Sequence, residues 1–217
     1  MPESFPVTDR TRVVREAHRA DYDHDTIYKI LDEAFVCHVG FNADNQPFVI
    51  PTMFARVGDH LYFHGSAASR MLRGLGSGWP VCITVTLLDG LILARSVFNH
   101  SMNYRSVVAL GHATQIDDPD EKLRALQAFT EKLIPGRWHE ARQPNEKELK
   151  ATSILKLPLT EASAKVRIGD VEDDAEDYGF PVWAGIIPLR VIADAPVRDS
   201  RCDPAIATPA YASNFKR

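Results

Sequence analysis

Cysteine is scarce in this chain, and charge of either sign is close to balanced. Cys37, Cys82 and Cys202 are the three cysteines in 217 residues. An odd, widely spaced set makes no disulfide framework, and a reducing cytoplasm is the expected home. The 25 basic and 29 acidic residues sum to −4, so no general affinity for nucleic acid or an anionic membrane follows. No apolar run approaches the roughly 20 residues that cross a bilayer. The opening Met1-Pro-Glu-Ser-Phe-Pro-Val lacks the basic flank and apolar stretch of a secretory signal. A Walker loop, a Gly-x-Ser-x-Gly elbow and a Cys-x-x-Cys pair are all missing. Gly74-Leu-Gly76-Ser-Gly78 has the look of a nucleotide fingerprint. It follows a predicted helix and precedes a strand, however, the reverse of the order that aims a helix N-terminus at a pyrophosphate. His60 and His64 are four apart on a predicted strand, roughly 13 Å, too far to share a metal ion. No metal site is expected.

What is present, 45% hydrophobic and 25% charged residues, suits one large domain with appendages. Residues 1–22 are polar and read as a loosely held arm. A helix opened by Asp23 or Asp25 follows, with Ile27, Ile30, Leu31 and Phe35 at helical spacing. From there to Gly111 the pattern is of short β-rich runs: Phe35–Phe41, Phe48–Arg56, His60–His64, Val81–Leu88, Leu91–Ser96 and Arg105–Gly111. Gly58-Asp59 and Asp89-Gly90 read as hairpin turns. Pro51 marks its run as an edge or bulged strand. These features predict a mainly β fold with peripheral helices, an antiparallel sheet curling into a barrel. Ser66–Leu75 reads as a short helix. Asp118-Pro119 opens a better one that carries Leu123, Leu126, Phe129 and Leu133 and ends at Pro135-Gly136. A minor helix at Glu146–Ala151, strands at Ser153–Leu159 and Ala164–Ile168, and a last strand Phe180–Leu189 containing Trp183 complete the domain, 23–192. The acidic stretch 170–177 reads as a solvated loop rather than a calcium site, and 193–217 as a draped or mobile tail.

Two segments carry candidate chemistry. In Leu61-Tyr-Phe-His-Gly-Ser-Ala-Ala-Ser-Arg-Met-Leu72 a strand ends at His64-Gly65, and Ser66, Ser69 and Arg70 gather at the start of a helix. Two hydroxyls, a guanidinium and outward N–H groups suit a phosphate dianion. A serine-capped surface helix with a solvated arginine is the plainer alternative. The second segment, Ser96–Val107, places Asn99, His100, Ser101, Asn103, Tyr104, Arg105 and Ser106 beside a strand. That donor density suits a heteroaromatic ligand, and a well-capped long loop explains it equally. Trp183 reads first as core packing, and second as a stacking surface.

In order and spacing, Cys37-His-Val-Gly, Pro51-Thr52, Leu61–Arg70, Tyr104-Arg-Ser-Val107 with Gly111, and Trp183-Ala-Gly-Ile-Ile-Pro-Leu189 carry a resemblance. From about Thr26 to Leu189 the chain resembles the FMN-binding split-barrel superfamily of pyridoxamine 5′-phosphate oxidase. Within it, the chain is most similar to nitroimidazole-resistance-like flavoproteins. The resemblance implies a split-barrel homodimer with FMN in a cleft between subunits. It places the FMN phosphate on Ser69 and Arg70, with Ser66 close by. It sets Pro51, Thr52, Met53, Phe54, His64 and Gly65 along the ring and ribityl chain. Tyr104, Arg105 and Ser106 reach the flavin region, and Trp183 approaches it from the C-terminal segment. His64 becomes the leading active-site candidate, suited by its near-neutral pKa to donate a proton or position an acceptor. The position after the arginine is Met71 where pyridoxamine phosphate oxidases carry a basic residue, and only Arg190 follows Trp183-Ala-Gly. The expectation is therefore a cytoplasmic FMN oxidoreductase that passes electrons from a nicotinamide donor to a small aromatic or nitro compound. Two alternatives stand beside it. One is a non-catalytic module for flavin, deazaflavin or haem, with His64 or His100 as the haem ligand. The other is pyridoxamine 5′-phosphate oxidation itself.

Overall fold

The computed structural model describes residues 3–216. Its elements run β1 (Ala20–Asp21), α1 (His24–Glu33), β2 (Val36–Ala43), β3 (Gln46–Val57), β4 (His60–Ser66), α2 (Arg70–Gly76), β5 (Pro80–Leu93), β6 (Ser101–His112) and β7 (Thr114–Gln115). They continue with α3 (Pro119–Leu133), α4 (Arg137–Glu140), α5 (Glu146–Ala151), β8 (Thr152–Pro158), β9 (Glu161–Arg167), β10 (Gly185–Pro188) and α6 (Ala210–Ser213). Every strand pairing is antiparallel, in the order β1-β9-β6-β5-β2-β3-β4-β8-β7, with β10 added to β5. The chain passes from β8 to β9 across Leu159-Thr160, yet these two strands pair with different neighbours. The sheet therefore wraps around its core without closing, a barrel split between β8 and β9.

Alternation along the strands builds that core. Cys37, Val39 and Phe41 of β2, Val81, Ile83 and Val85 of β5, Val107 and Ala109 of β6, and Leu155 and Leu157 of β8 all point inward. Helix α1 closes one side with Ile27, Ile30 and Leu31. Gly111 is needed where β6 nears β8: a Cβ there would lie 2.9 Å from the Leu157 side chain. Gly74 is needed more sharply, since its Cβ would lie 2.2 Å from the Trp79 ring. The Gly74–Gly78 pattern thus serves helix packing and a turn at Gly78, φ 102°. Pro51 sits on the stretch of β3 that pairs only with β2, its other edge open, because β4 pairs only from Phe54 onward.

Several expectations are corrected. Residues 4–23 are not loosely held. Phe5 is buried, its N–H bonds to Tyr22 O (2.8 Å), Ser4 Oγ donates to Asp23 Oδ1 (2.6 Å), and Thr8 and Arg10 reach Glu161. Asp23 occupies the N-cap position of α1 but makes no side-chain cap. Asp89-Gly90 is no hairpin: β5 runs straight through it with a bulge between Leu88 and Gly90, because β6 accompanies it on both sides. The last strand shrinks to β10, which leaves Trp183 outside it and 67% exposed. The acidic loop is tied down at Asp173, whose enclosed carboxylate accepts from the N–H of Arg95 (2.9 Å) and from its guanidinium (3.0 Å). Burial works to raise the Asp173 pKa, and these hydrogen bonds outweigh it and hold it below the usual range. No described helix is long and apolar enough to cross a membrane.

Candidate functional site

Helix α3 builds the principal site against β3 and β4. Asp118 caps α3, its carboxylate accepting from Glu121 N–H (2.9 Å), and Pro119 occupies the first turn. The Glu121 side chain does not close a capping box and bonds instead to Lys156 Nζ (2.7 Å) on β8, which pins the helix start to the sheet. At the other end Lys132 donates to Leu31 O (2.8 Å) and lies over the Phe54 ring, 3.7 Å from its centroid. Burial pushes the Lys132 pKa down to about 8 and that of neighbouring Cys37 up to about 12. Between these anchors Ala125 and Phe129 are buried. Leu126, Phe129 and Leu133 also face a cavity of about 340 Å³ whose other walls include Met53, His64 and Trp138.

His64 stands at the sheet side of this cavity, near the end of β4. Its ring packs on Phe129, centroids 4.3 Å apart, and its enclosed Nδ1 has no hydrogen-bond partner among the described residues. Burial lowers its pKa, because a charged imidazolium is disfavoured away from water, and so favours the neutral ring with one nitrogen lone pair. An imidazole that the fold leaves unpaired, facing apolar walls, can ligate a metal centre or hold a ligand polar atom. The rim carries Arg142 and Glu148, joined by a two-armed ion pair (3.0 and 2.6 Å).

Just beyond His64 the phosphate candidates come together in part. Helix α2 begins at Arg70 rather than Ser66, with Ser69 as its N-cap, accepting from Leu72 N–H (3.4 Å), and Ser66 closing β4. Ser66 Oγ accepts from Ala68 N–H (3.2 Å). Both hydroxyls thus use lone pairs internally and keep their protons to donate. Arg70 is exposed, lies 4.3 Å over the Phe48 ring, and forms no ion pair among the described residues.

The remaining predicted residues divide. Met53 lines the His64 cavity. Phe54 is fully buried under Lys132, so its side chain belongs to the core. Pro51 and Thr52 lie on β3 against His38 and Cys37, and Gly65 continues β4 beside Leu72. Most donors of the second segment are consumed by the fold. Asn103 Oδ1 accepts from Gly169 N–H (3.2 Å), Ser106 Oγ donates to Lys165 O (3.1 Å), and His100 Nδ1 meets Ser96 O (2.8 Å). Arg105 is held by Asp89 (2.9 and 2.7 Å) and Glu33 (2.9 Å). It lines a different cleft, of about 830 Å³, with His38, Thr86 and Arg190. Tyr104 is half-buried on β6. Trp183 packs its ring on Gly185 outside both cavities.

Sequence reasoning missed Trp138, Arg142 and the rim they form. A signal was present: Leu126 and Leu133 widen the apolar stripe of α3 beyond what the core takes up, since Leu133 is 41% exposed. A stripe wider than its core contact marks a second apolar wall.

Residues 23–166 match the family model described as pyridoxamine 5′-phosphate oxidase. The chain belongs to the pyridoxamine 5′-phosphate oxidase family. Among solved structures it is similar to the flavocytochrome Anf3 from Azotobacter vinelandii, with 44% identity, a TM-score of 0.92, and 96% of this chain and 97% of that one covered. It is also similar to the FAD and haem binding protein from Mycobacterium smegmatis: 34% identity, TM-score 0.88, coverage 91% and 97%. A candidate 5-nitroimidazole antibiotic resistance protein from Bacteroides thetaiotaomicron is 25% identical, with a TM-score of 0.56 and coverage of 68% and 86%. No curated protein matches. The split-barrel fold expected of this family is the fold observed, with the sheet left open between β8 and β9.

Proposed function

We propose that this chain is a flavin-dependent redox protein that also carries haem, with His64 as the haem ligand. The observation that carries the reading is a histidine, His64, that lines a largely apolar-walled cavity while its enclosed Nδ1 has no hydrogen-bond partner among the described residues. The Azotobacter flavocytochrome and the mycobacterial FAD and haem binding protein, both alike over nearly the whole chain, support the pairing of the two cofactors. Of the two histidines weighed as haem ligands, His64 is favoured because His100 is engaged with Ser96 O.

Bound flavin supplies hydride and single-electron chemistry, and bound haem an iron centre that exchanges single electrons. The chain's own part is binding and exclusion of water. Ser66, Ser69 and Arg70 would hold the flavin phosphate, with protons still available on both hydroxyls and a guanidinium that has no carboxylate partner among the described residues. Pro51, Thr52 and Met53 would run along the flavin. Leu126, Phe129 and Leu133 would, with the cavity occupied, lie beside His64 and help keep water from it. The flavin is FMN in this reading, and FAD is the other form to look for, as in the mycobacterial protein. A homodimer with the flavin between subunits is supported by apolar side chains on the outer strand face, Val36 (49% exposed), Val49 (67%) and Leu88 (44%). Trp183, exposed and outside the His64 cavity, would then be free to act at the subunit boundary, whereas Arg105 shares the inward face of β6 with Val107 and Ala109 and is held by Asp89 and Glu33.

A second reading, reduction of a small aromatic or nitro compound with nicotinamide electrons, is favoured by the likeness to the Bacteroides protein. There His64 would position the acceptor. Pyridoxamine 5′-phosphate oxidation finds less support, because Met71 is buried where a second phosphate cation is wanted.

Purified protein heated to release its cofactors, with mass identification of what is released, tests the proposal. Flavin together with haem is expected. His64→Ala should lose haem and keep flavin. Wild-type protein that yields neither overturns the proposal, and flavin without haem returns the site to the second reading.

A further inference from the structure

The His64 cavity is chemically lopsided. Met53, Leu126, Phe129 and Leu133 give it apolar walls, and Arg142, beside Glu148, is the one lysine or arginine among its described lining residues. Arg142 is prepared rather than loose. The Gln143 side-chain amide ties the turn beneath it, bonding to Trp138 O (2.8 Å) and Ala141 O (3.3 Å). Its guanidinium donates once to Gln143 O (2.9 Å) and twice to Glu148 (3.0 and 2.6 Å). Glu148 is itself fixed by the capping box of α5, where it accepts from Asn145 N–H (2.9 Å). Of the five N–H donors of a guanidinium, three are used, and two remain for a ligand at the rim.

The Arg142–Glu148 pair is exposed, 69% and 44%, and pairs of that kind add little to stability. Glu148 needs no arginine to cap α5. What the pair does achieve is to hold a fork-shaped cation at the mouth of an apolar cavity, the geometry that recognises a carboxylate on the edge of an apolar ring.

We infer that Arg142 is a carboxylate clamp for the occupant of the His64 cavity, and that Glu148 holds the clamp in place and competes for it. The inference rests on the haem reading above. It adds that the cavity selects a tetrapyrrole by its peripheral acid groups, with Arg142 as the specificity-determining residue. A carboxylate arriving at the rim shares or takes over the guanidinium, and the negative charge of Glu148 opposes it.

The test is a pair of binding titrations on full-length apo protein, one with haemin and one with haemin dimethyl ester, whose acids are masked. Wild type is expected to prefer haemin. Arg142→Ala should weaken haemin binding about tenfold or more, as loss of a charge-assisted contact does, and leave ester binding unchanged. Glu148→Gln should move haemin affinity the other way, with the ester again unmoved. Thermal melting of each variant confirms that it is folded. Equal effects on haemin and ester would mean that Arg142 only shapes the cavity, and an unchanged haemin affinity would mean that it does not touch the ligand. Either result overturns the clamp while leaving haem binding intact. Wild type that binds neither compound overturns the haem reading and the clamp with it.

Discussion

Replacing His64 with leucine should make the cofactor-free protein more stable while removing its hold on haem. The His64 Nδ1 is enclosed without a partner, and leaving a buried polar atom unsatisfied costs about 1–3 kcal/mol. Against that stands the contact with Phe129 at 4.3 Å, a kind of ring pairing worth about 0.5–1.5 kcal/mol, part of which leucine keeps by its own packing. The net is a gain on the order of 1 kcal/mol, or about 2–4 °C in melting temperature for a chain of this length. The sign of the pH dependence is fixed by burial, which lowers the His64 pKa in the folded state. As pH falls below the ordinary imidazole value of about 6.5, the unfolded chain takes up the proton first. Wild type then loses stability that the leucine variant keeps, so the gap between them widens in acid. Urea denaturation of flavin- and haem-free protein above and below that pH measures both effects. A leucine variant that is less stable than wild type at both pH values would show instead that the imidazole is a core group and not a functional one held at a cost.

Arg70→Ala should release flavin far more readily than Arg124→Ala, a change on the exposed face of α3, and equal retention on gel filtration would remove Arg70 from the phosphate site. Lys132→Met should flatten the alkaline stability profile. With the folded-state pKa at about 8, the unfolded chain binds more protons between there and about 10.4. Wild-type stability therefore rises relative to the methionine variant across that window, by about 1 kcal/mol after allowance for solvent screening. Urea midpoints at the two ends of the window read the difference. Gly74→Ala should destabilise by about 1–3 kcal/mol, as overpacking does, because its Cβ meets the Trp79 ring at 2.2 Å. Gly74→Ala combined with Trp79→Leu should recover part of that loss in a melting experiment.

Local signals in the chain were the legible ones. The Asp118-Pro119 start of α3, the turn at Gly58-Asp59, and the inward alternation of β2, β5 and β6 each depend on neighbours within a few residues. Asp89-Gly90 misled because a bulge and a hairpin share residue types, and only the partner strand decides between them. The N-terminal arm misled for a similar reason. Thr8 and Arg10 find Glu161 some 150 positions away, and no local pattern announces such a contact. At the site, the His64-Gly65 strand end and the Ser66–Arg70 turn were visible as chemistry. The wall opposite was not, since Phe129, Trp138 and Arg142 come to His64 by the packing of α3 and α4. The donors of Ser96–Val107 were visible too, but their use in securing β6 to β9 and to the 167–169 segment was not.

In the proposed holoprotein the imidazole of His64 takes the haem iron. An absorption titration of His64→Gly with haemin, in the absence and then in the presence of free imidazole, probes that bond. The glycine variant should give no wild-type Soret band by itself and regain it when imidazole fills the space left by the side chain. A wild-type Soret band from the glycine variant without imidazole would contradict ligation by His64.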